Sequence, residues 1–176
     1  MANVGVAFNR TPILVDTNVI IEAVRTGCWN ALTGGAVIET VEECRDEALR
    51  GNDSRRGYIP VTAQHLTRIS RIHAVAPLAR ATLADRYPAA LSMDKGERDL
   101  FAHALERTEA GDSVWLLSSP DRASIKAALA LAYGEQLRSL GGMMKKLGGA
   151  PAKPVLPNHE ERWLQACLTE YRPQNR

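Results

Sequence analysis

The chain is predicted to be an α/β protein with a short, mostly parallel sheet, flanking helices and a helical C-terminal extension. Short apolar segments alternate with longer segments of helical periodicity along the 176 residues. Both of the clearest strand candidates, 13–16 and 113–117, run into polar residues just before a helix, as in layered α/β folds. A hydrophobic content of 45% with 24% charged residues is typical of a globular domain with a full core.

The strands are predicted from short apolar segments bounded by polar or glycine residues. Ile13-Leu14-Val15 is a continuous apolar run that ends at Asp16, GGAVIET is glycine-led and β-branched, and GDSVWLLSS lies between Gly-Asp and Ser-Ser. The helices are predicted from apolar residues at helical spacing and from their ends. They are expected at 18–25, 40–50, 62–73, 76–86, the segment SMDKGERDLFAHALER, the segment DRASIKAALALAYG closing at Gly134, 139–147 and 158–171.

The domain boundary is predicted at a Gly/Pro-rich connector. The segment GGAPAKPVLP begins at Gly148 and lacks helical periodicity. The chain is therefore divided into a core domain at 1–148 and a linker with a C-terminal helix at 149–176.

Charge is segregated along the chain although the net charge is only +2. Residues 1–49 contain three basic and seven acidic residues, whereas 50–86 contain seven arginines and two acids. Residues 137–153 contain four basic residues and no acid. Acid-rich and Arg-rich segments together favour an enzyme that acts on a polyanion, and solvated helix faces are the other interpretation of the Arg-rich segment.

No sequence feature indicates secretion or a membrane partner. The N-terminus lacks a basic stretch followed by a long apolar one, and no apolar run approaches the 20 or so residues that a bilayer requires. Three widely spaced cysteines without a C-x-x-C pattern suggest neither a disulfide framework nor a zinc site. We therefore expect a cytoplasmic protein.

Acidic residues stand at four predicted element boundaries: Asp16, Glu43, the pair Asp94 and Glu97, and Asp121. Each can be explained as a helix cap, and Thr40-x-x-Glu43 has the spacing of a capping box. Strand ends and the following helix starts lie on one edge of a parallel sheet, so the acids can also converge there. Converging carboxylates repel one another unless a cation neutralises them, and oxygen ligands favour Mg²⁺ or Mn²⁺.

Four blocks of the sequence resemble the PIN-domain ribonucleases over roughly residues 11–148. The blocks are ILVDTNVII, GAVIETVEECRDEA, DKGERDLFAHALE and VWLLSSPDRAS, in the order and approximate spacing of that family. The resemblance implies a PIN-like three-layer α/β/α fold and makes 1–148 a nuclease domain. It also implies an Mg²⁺- or Mn²⁺-dependent endoribonuclease that hydrolyses RNA phosphodiester bonds, with an RNA substrate.

The resemblance also implies roles for individual residues. The expected metal-binding and catalytic acids are Asp16, Glu43, Glu97 and Asp121. The alternative ligands are Glu42, Asp94 and Asp99. The residues that match supporting positions of the family are Thr17, Asn18 and Ser119. The connection between the second and third acids is long, and the tail after residue 148 has no counterpart in the minimal family pattern. The arginines of that connection are candidates for RNA binding or for a partner-binding face: Arg55, Arg56, Arg68 and Arg71.

The family is rich in toxins that a small antitoxin neutralises, so an antitoxin partner is the expected setting, by analogy alone. A homodimer is a further expectation, since Met143-Met144 with Leu140 and Leu147 forms an apolar stripe that fits a core or a dimer contact. The opposing hypothesis is a non-catalytic PIN-like module that binds RNA or protein. A haloacid-dehalogenase type of phosphohydrolase is disfavoured because DTN lacks a second acid two residues after the first.

The four histidines show no ligand spacing among themselves. They are predicted to have surface or capping roles: His65, His73, His103 and His159.

Overall fold

The computed structural model describes residues 8–51 and 60–172, and these form an α/β fold around a four-stranded sheet. The strands are Pro12–Val15 (β1), Val37–Val41 (β2), Arg71–His73 (β3) and Leu116–Ser118 (β4). The α-helices of the described residues are Thr17–Arg25 (α1), Trp29–Gly35 (α2), Glu42–Arg50 (α3), Ala63–Leu66 (α4), Pro77–Arg86 (α5), Lys95–Glu109 (α6), Arg122–Ala130 (α7), Leu140–Lys146 (α8) and Glu161–Tyr171 (α9).

The sheet is parallel throughout and has the strand order β3-β2-β1-β4. In register, Ile13 of β1 lies opposite Ile38 of β2 on one side and opposite Leu116 of β4 on the other. From β1 the chain continues to β2 on one side of β1, and only later does β4 pair with the other side of β1. The predicted parallel α/β class is confirmed.

Both faces of the sheet are buried because successive side chains of a strand point in opposite directions. Leu14 and Leu117 pack with α5, α6, α7 and α9 in one hydrophobic cluster. Ile13 and Val15 pack with α1, α2 and α8 in the other. Helices on both faces are compatible with the expected three-layer arrangement.

Residues 62–73, predicted as one helix, form a short helix, a turn and an edge strand. Thr62 and His65 form a capping box at the start of α4, which ends at Leu66. Strand β3 then pairs with β2, with Ile72 opposite Thr40. The spacing of Leu66, Ile69 and Ile72 fits a helical period, but pairing with the neighbouring strand overrides that local preference.

Two other predicted boundaries shift by a few residues. Helix α7 ends at Ala130 rather than at Gly134, and the following turn places Ala132 at a positive φ of 62°. Strand β4 begins at Leu116, three residues later than predicted. Helix α2 was not predicted, and it includes Gly34 and Gly35, so the strand expected at GGAVIET begins only at Val37. The other helices form close to their predicted ranges.

The segment after residue 148 is tied to the core at several points. The N–H of Ala152 donates to the carbonyl of Thr26, and the N–H of Leu156 donates to Glu22 Oε1 at 2.6 Å. Helix α9 then packs against α7 and buries its apolar side in the core. Among the described residues, no helix is both long and apolar enough to cross a bilayer.

Candidate functional site

The sheet has a switch point between β1 and β4, where successive connections leave in opposite directions. Ligands of open α/β sheets bind outside the carboxyl ends of the strands at such a point. Here β1 ends at Val15 and is followed by Asp16, while β4 ends at Ser118 and is followed by Ser119. The backbone N–H of Asp16 bonds to the carbonyl of Ser118 at 3.0 Å, so these polar residues face each other across the two strands.

Asp16 occupies the N-cap position of α1, but its side chain makes no capping hydrogen bond. The residue is only 2% exposed. Its Oδ2 accepts from Ser119 Oγ at 3.3 Å and from Asn18 Nδ2 at 3.5 Å. The capping interpretation of Asp16 is therefore wrong, and Asn18 and Ser119 contact Asp16 as the resemblance implied.

The surroundings of Asp16 favour its neutral form. Burial raises the pKa of Asp16 to about 7, and the charges of Asp94 and Glu47 add to the rise, while the Thr17 backbone N–H and the Ser119 hydroxyl oppose it. Desolvation and like charges both penalise a carboxylate. No ion pair of Asp16 is present among the described residues that could offset this cost.

Glu97 lies in the first turn of α6 and is 5% exposed. Its Oε1 accepts a hydrogen bond from the buried Ser124 hydroxyl at 2.6 Å. Burial raises the pKa of Glu97 to about 8; Ser124 opposes the rise, and the charges of Asp16, Asp121 and Asp94 increase it. The charge of one buried acid, Asp16, thus acts on a second buried acid that a different element supplies.

Asp94 and Asp121 are exposed helix caps at the rim of this group. Asp94 Oδ1 accepts from the N–H of Glu97 at 2.8 Å, and Asp121 Oδ1 accepts from the N–H of Ala123 at 2.6 Å. The capping interpretation of these two residues is confirmed. The charges of Asp94 and Asp121 nevertheless raise the pKa of Glu97, so we count both residues with the same group of acids.

Glu43 makes ion pairs with two cations, and its assignment as a ligand stays a prediction. Its carboxylate is bound by Lys95 and by Arg50, the latter at 2.9 Å, and both cations lower its pKa. The charge of Glu47, one turn later on α3, raises the pKa of Asp16. Glu47 Oε2 accepts from the Thr17 hydroxyl at 2.7 Å, while the backbone N–H of Thr17 favours the charged form of Asp16, so Thr17 contacts both acids.

The capping box predicted at Thr40 is also wrong. The Thr40 hydroxyl donates to the carbonyl of Val15 at 2.7 Å, within the sheet, and Val41 occupies the N-cap position of α3.

The signal for Glu47 was present in the sequence. Cys44 and Ala48 form the buried side of α3, and an acid three residues after Cys44 borders that side.

The two other alternative ligands are placed elsewhere. Glu42 is exposed in the first turn of α3. Asp99 is buried, and both of its oxygens accept from Arg80 of α5, at 2.6 and 2.7 Å. Asp99 therefore links α6 to α5 by a bidentate ion pair, which leaves it no role as a ligand.

We call the group Asp16, Glu47, Asp94, Glu97 and Asp121 the acidic site. Within the described residues, no three of these carboxylates place one oxygen each within 4.8 Å of one another. The acidic site can hold a divalent ion through one or two carboxylates with water completing the shell, which is the usual manner of Mg²⁺.

The arginines predicted to bind RNA are only partly described. Arg55 and Arg56 lie outside the described residues. Arg68, in the turn after α4, and Arg71, in the edge strand β3, are both exposed. The guanidinium groups of both arginines are therefore accessible to solvent.

The histidines differ from their predicted surface or capping roles in two cases. His65 is a capping residue as predicted. His103 and His159 are buried, and burial lowers the pKa of each to about 4. His73 is half-buried, bonds to Glu39 Oε2 at 2.8 Å and stacks on His103 with ring centres 3.9 Å apart.

Fold and site together define an α/β protein with a buried pair of carboxylates at the switch point of a parallel sheet. Comparison of the chain with protein-family models, with curated proteins and with solved structures finds no significant match.

Proposed function

We propose that the protein is a metal-dependent nuclease of the PIN type that hydrolyses RNA phosphodiester bonds at the acidic site. Three features support this: the parallel sheet, the position of Asp16 at the switch point, and the convergence of acids from four elements. Oxygen-only donors favour Mg²⁺ or Mn²⁺ over zinc.

The observation that carries the proposal is the pairing of Asp16 with Glu97. Both side chains are almost completely buried, and the charge of Asp16 is one of the causes that raise the pKa of Glu97. Among the described residues neither has a cationic partner. Buried charges are normally paired or coordinate metals, so a divalent ion is the partner that this arrangement lacks.

The residues of the chain have distinct tasks in such a site. Asp16 and Glu97 would hold the ion, with Ser119 and Ser124 fixing their carboxylates in place. Asp94 and Asp121, at the exposed rim, would accept hydrogen bonds from water molecules at the ion. The ion itself supplies an acidified water for attack on phosphorus and stabilises the charge that develops there.

The substrate and partners rest on charge and on resemblance. A polyanion needs basic groups beside the acidic site, and Arg68 and Arg71 are exposed on the described part of the Arg-rich segment. An antitoxin partner remains an expectation from the resemblance, and a homodimer remains one from the apolar stripe of α8. Met143 and Met144 of α8, whose spacing fitted a core or a dimer contact, are buried in the core.

The test is cleavage of a mixed RNA pool in Mn²⁺ by the wild type and by Asp16→Asn. The substitution removes one ligand charge at nearly constant shape, so we expect cleavage by the wild type alone. The matched control is Asp85→Asn, an exposed acid of α5, which should cleave like the wild type. Equal cleavage by Asp16→Asn would refute the assignment, and no cleavage by any variant would favour the RNA- or protein-binding module.

A further inference from the structure

A second group of potential ligands lies under α6, away from the residues of the acidic site. Glu39 of β2, His73 of β3 and His103 of α6 each offer one ligand atom, and these three atoms lie within 4.8 Å of one another. Three elements distant in sequence supply them. Among the described residues this is the one group of three or more His, Cys, Asp or Glu side chains that meets this distance.

His103 is the unusual member of this group. The residue is 8% exposed, and both of its ring nitrogens are buried without a hydrogen-bond partner. The nearest acid on its own helix, Glu106, is 3.9 Å from Nδ1, beyond hydrogen-bond range. Buried polar atoms in folded proteins nearly always have partners, so a pair of unpartnered imidazole nitrogens beside two other donors indicates a missing ligand.

The donor set identifies the class of that ligand. Two imidazoles and one carboxylate are the protein ligands of zinc sites and of related divalent transition ions that keep one open position. Mg²⁺ takes oxygen ligands and does not suit this set. Imidazole must be neutral to bind a metal, and a buried ring is suited to that state.

Charges of both signs surround this group of potential ligands. Arg107 donates to Glu39 Oε2 at 2.9 Å, but its other nitrogens are held by Asp112 Oδ2, at 2.9 and 2.5 Å. Asp112 offsets part of the charge of Arg107, Arg71 adds a second positive charge near His103, and no described contact occupies Glu39 Oε1. A metal lies in the plane of the imidazole that binds it, so binding requires His103 to turn out of its stack on His73.

We propose that Glu39, His73 and His103 bind one divalent ion of the zinc class, which fastens the edge strand β3 to β2 and to α6. Strand β3 is only three residues long, and its ladder with β2 is short. A metal bond across three elements holds such an edge more firmly than its backbone hydrogen bonds alone. This site shares no residue with the acidic site, and the proposal is independent of nuclease activity.

The experiment is a titration of the chelator-stripped full chain with Co²⁺, followed by displacement with Zn²⁺. Four- or five-coordinate Co²⁺ with nitrogen ligands gives intense visible absorption, which Mn²⁺- or Mg²⁺-type oxygen sites do not. We expect one strongly absorbing Co²⁺ per chain and its displacement by Zn²⁺, since histidine and carboxylate ligands with one open position are those of four-coordinate zinc sites. His103→Gln and His73→Gln should each weaken Zn²⁺ binding by at least about 100-fold, since loss of a direct ligand costs more than loss of an outer partner.

The controls separate this site from the rest of the chain. His65→Gln retains the Thr-x-x-Gln form of a capping box and should bind Co²⁺ like the wild type. Asp16→Asn should also bind normally. Absence of the visible bands in the wild type would overturn the proposal, as would unchanged binding in a folded His103→Gln or loss of binding in Asp16→Asn. His103 makes no hydrogen bonds, so its substitution should leave the far-ultraviolet circular dichroism spectrum intact.

Discussion

The hydroxyl of Thr17 donates a hydrogen bond to Glu47 Oε2 at 2.7 Å, which joins the first turn of α1 to the middle of α3 beside Asp16. The same carboxylate accepts the backbone N–H of Gly96 through Oε1 at 3.2 Å. Glu47 of α3 is thereby held by one contact to α1 and one contact to α6, the helix that carries Glu97. This link decides which glutamate of α3 belongs to the acidic site.

Substitution of the two glutamates should therefore have unequal effects. We expect Glu47→Gln to lower Mn²⁺-dependent cleavage more than about 10-fold, because it removes a negative charge that would attract the ion beside Asp16. Glu43→Gln should change cleavage less than about threefold, since its partners Lys95 and Arg50 are largely exposed and such pairs contribute about 1 kcal/mol or less. Initial rates on one RNA pool check both; the reverse order of effects would favour Glu43 as the second acid.

Gly96→Ala should disturb the acidic site through Glu47. A Cβ at this position would lie 2.5 Å from Glu47 Oε2 and 3.1 Å from Cys44 Sγ, so the carboxylate has to move. We expect a loss of stability of about 1–3 kcal/mol together with lower cleavage. Gly34→Ala in α2 is the matched control, because its Cβ would meet nothing within 4 Å. Urea unfolding that gave the same loss for both variants would contradict the contact with Glu47.

Mn²⁺ should stabilise the wild type by neutralising Asp16 and Glu97. A ligand present at 100 times its Kd raises the free energy of unfolding by about 2.7 kcal/mol. Asp16→Asn should lose most of this gain, because one of the two buried carboxylates is no longer charged. Thermal unfolding in Mn²⁺ and in EDTA measures the effect, and the His103→Gln background removes any contribution from the Glu39, His73 and His103 group. Equal stabilisation of both proteins would show that the ion binds elsewhere.

The stability of the metal-free protein should depend on pH in a characteristic way. Asp16 and Glu97 have pKa values of about 7 and 8 in the folded chain against ordinary values of 3.8 and 4.5. The folded state holds protons that the unfolded state has released, so stability falls as pH rises up to about 8. His103 and His159, with folded pKa values of about 4 against 6.5, act oppositely, and stability rises between pH 4 and 6.5.

The effects of the two acids and of the two histidines on stability nearly cancel below pH 6.5. We therefore expect a plateau of stability there and a fall from pH 6.5 to 8. Asp16→Asn should make the fall shallower, by at most about 1.4 kcal/mol per pH unit, which is the share of one proton. Asp85→Asn should leave it unchanged. Urea unfolding in EDTA at a series of pH values measures the slope, and a rise in stability over this range would contradict the burial of the two acids.

The C-terminal helix should be needed for stability. Leu164 of α9 is buried against α7, and truncation of a buried leucine costs about 2–5 kcal/mol. We therefore expect Leu164→Ala to lower the free energy of unfolding by this amount. Leu91→Ala, at a position 68% exposed, should change it by less than about 0.5 kcal/mol. Similar values for the two variants would indicate that α9 adds little to the core.

The sequence predicts the strands and helices that have a strong local pattern. β1, α1, α6 and α8 form close to their expected ranges because apolar spacing and end signals agree there. β3 was missed, because Arg71-Ile72-His73 becomes a strand only by pairing with β2, a contact that local periodicity does not contain.

The part of the candidate site that depends only on where the strands end was predictable from the sequence. Asp16 and Ser119 follow two adjacent strands, so the alternation of elements alone brings them together. The choice between Glu43 and Glu47 depends on side-chain partners from α1 and α6, which no local pattern reveals. His73 and His103 are 30 residues apart on different elements, and spacing rules for metal ligands do not cover such a pair.

The pairing of β1 with β4 also has a consequence for folding during synthesis. Asp16 and Ser119 are separated by 103 residues, so this edge of β1 stays without its partner until β4 has been made. Closing so long a segment is slow compared with helix formation. The acidic site is therefore completed in the late step in which β4 docks, and a nascent chain that stops before residue 119 cannot carry out the proposed reaction, however well its earlier helices have formed.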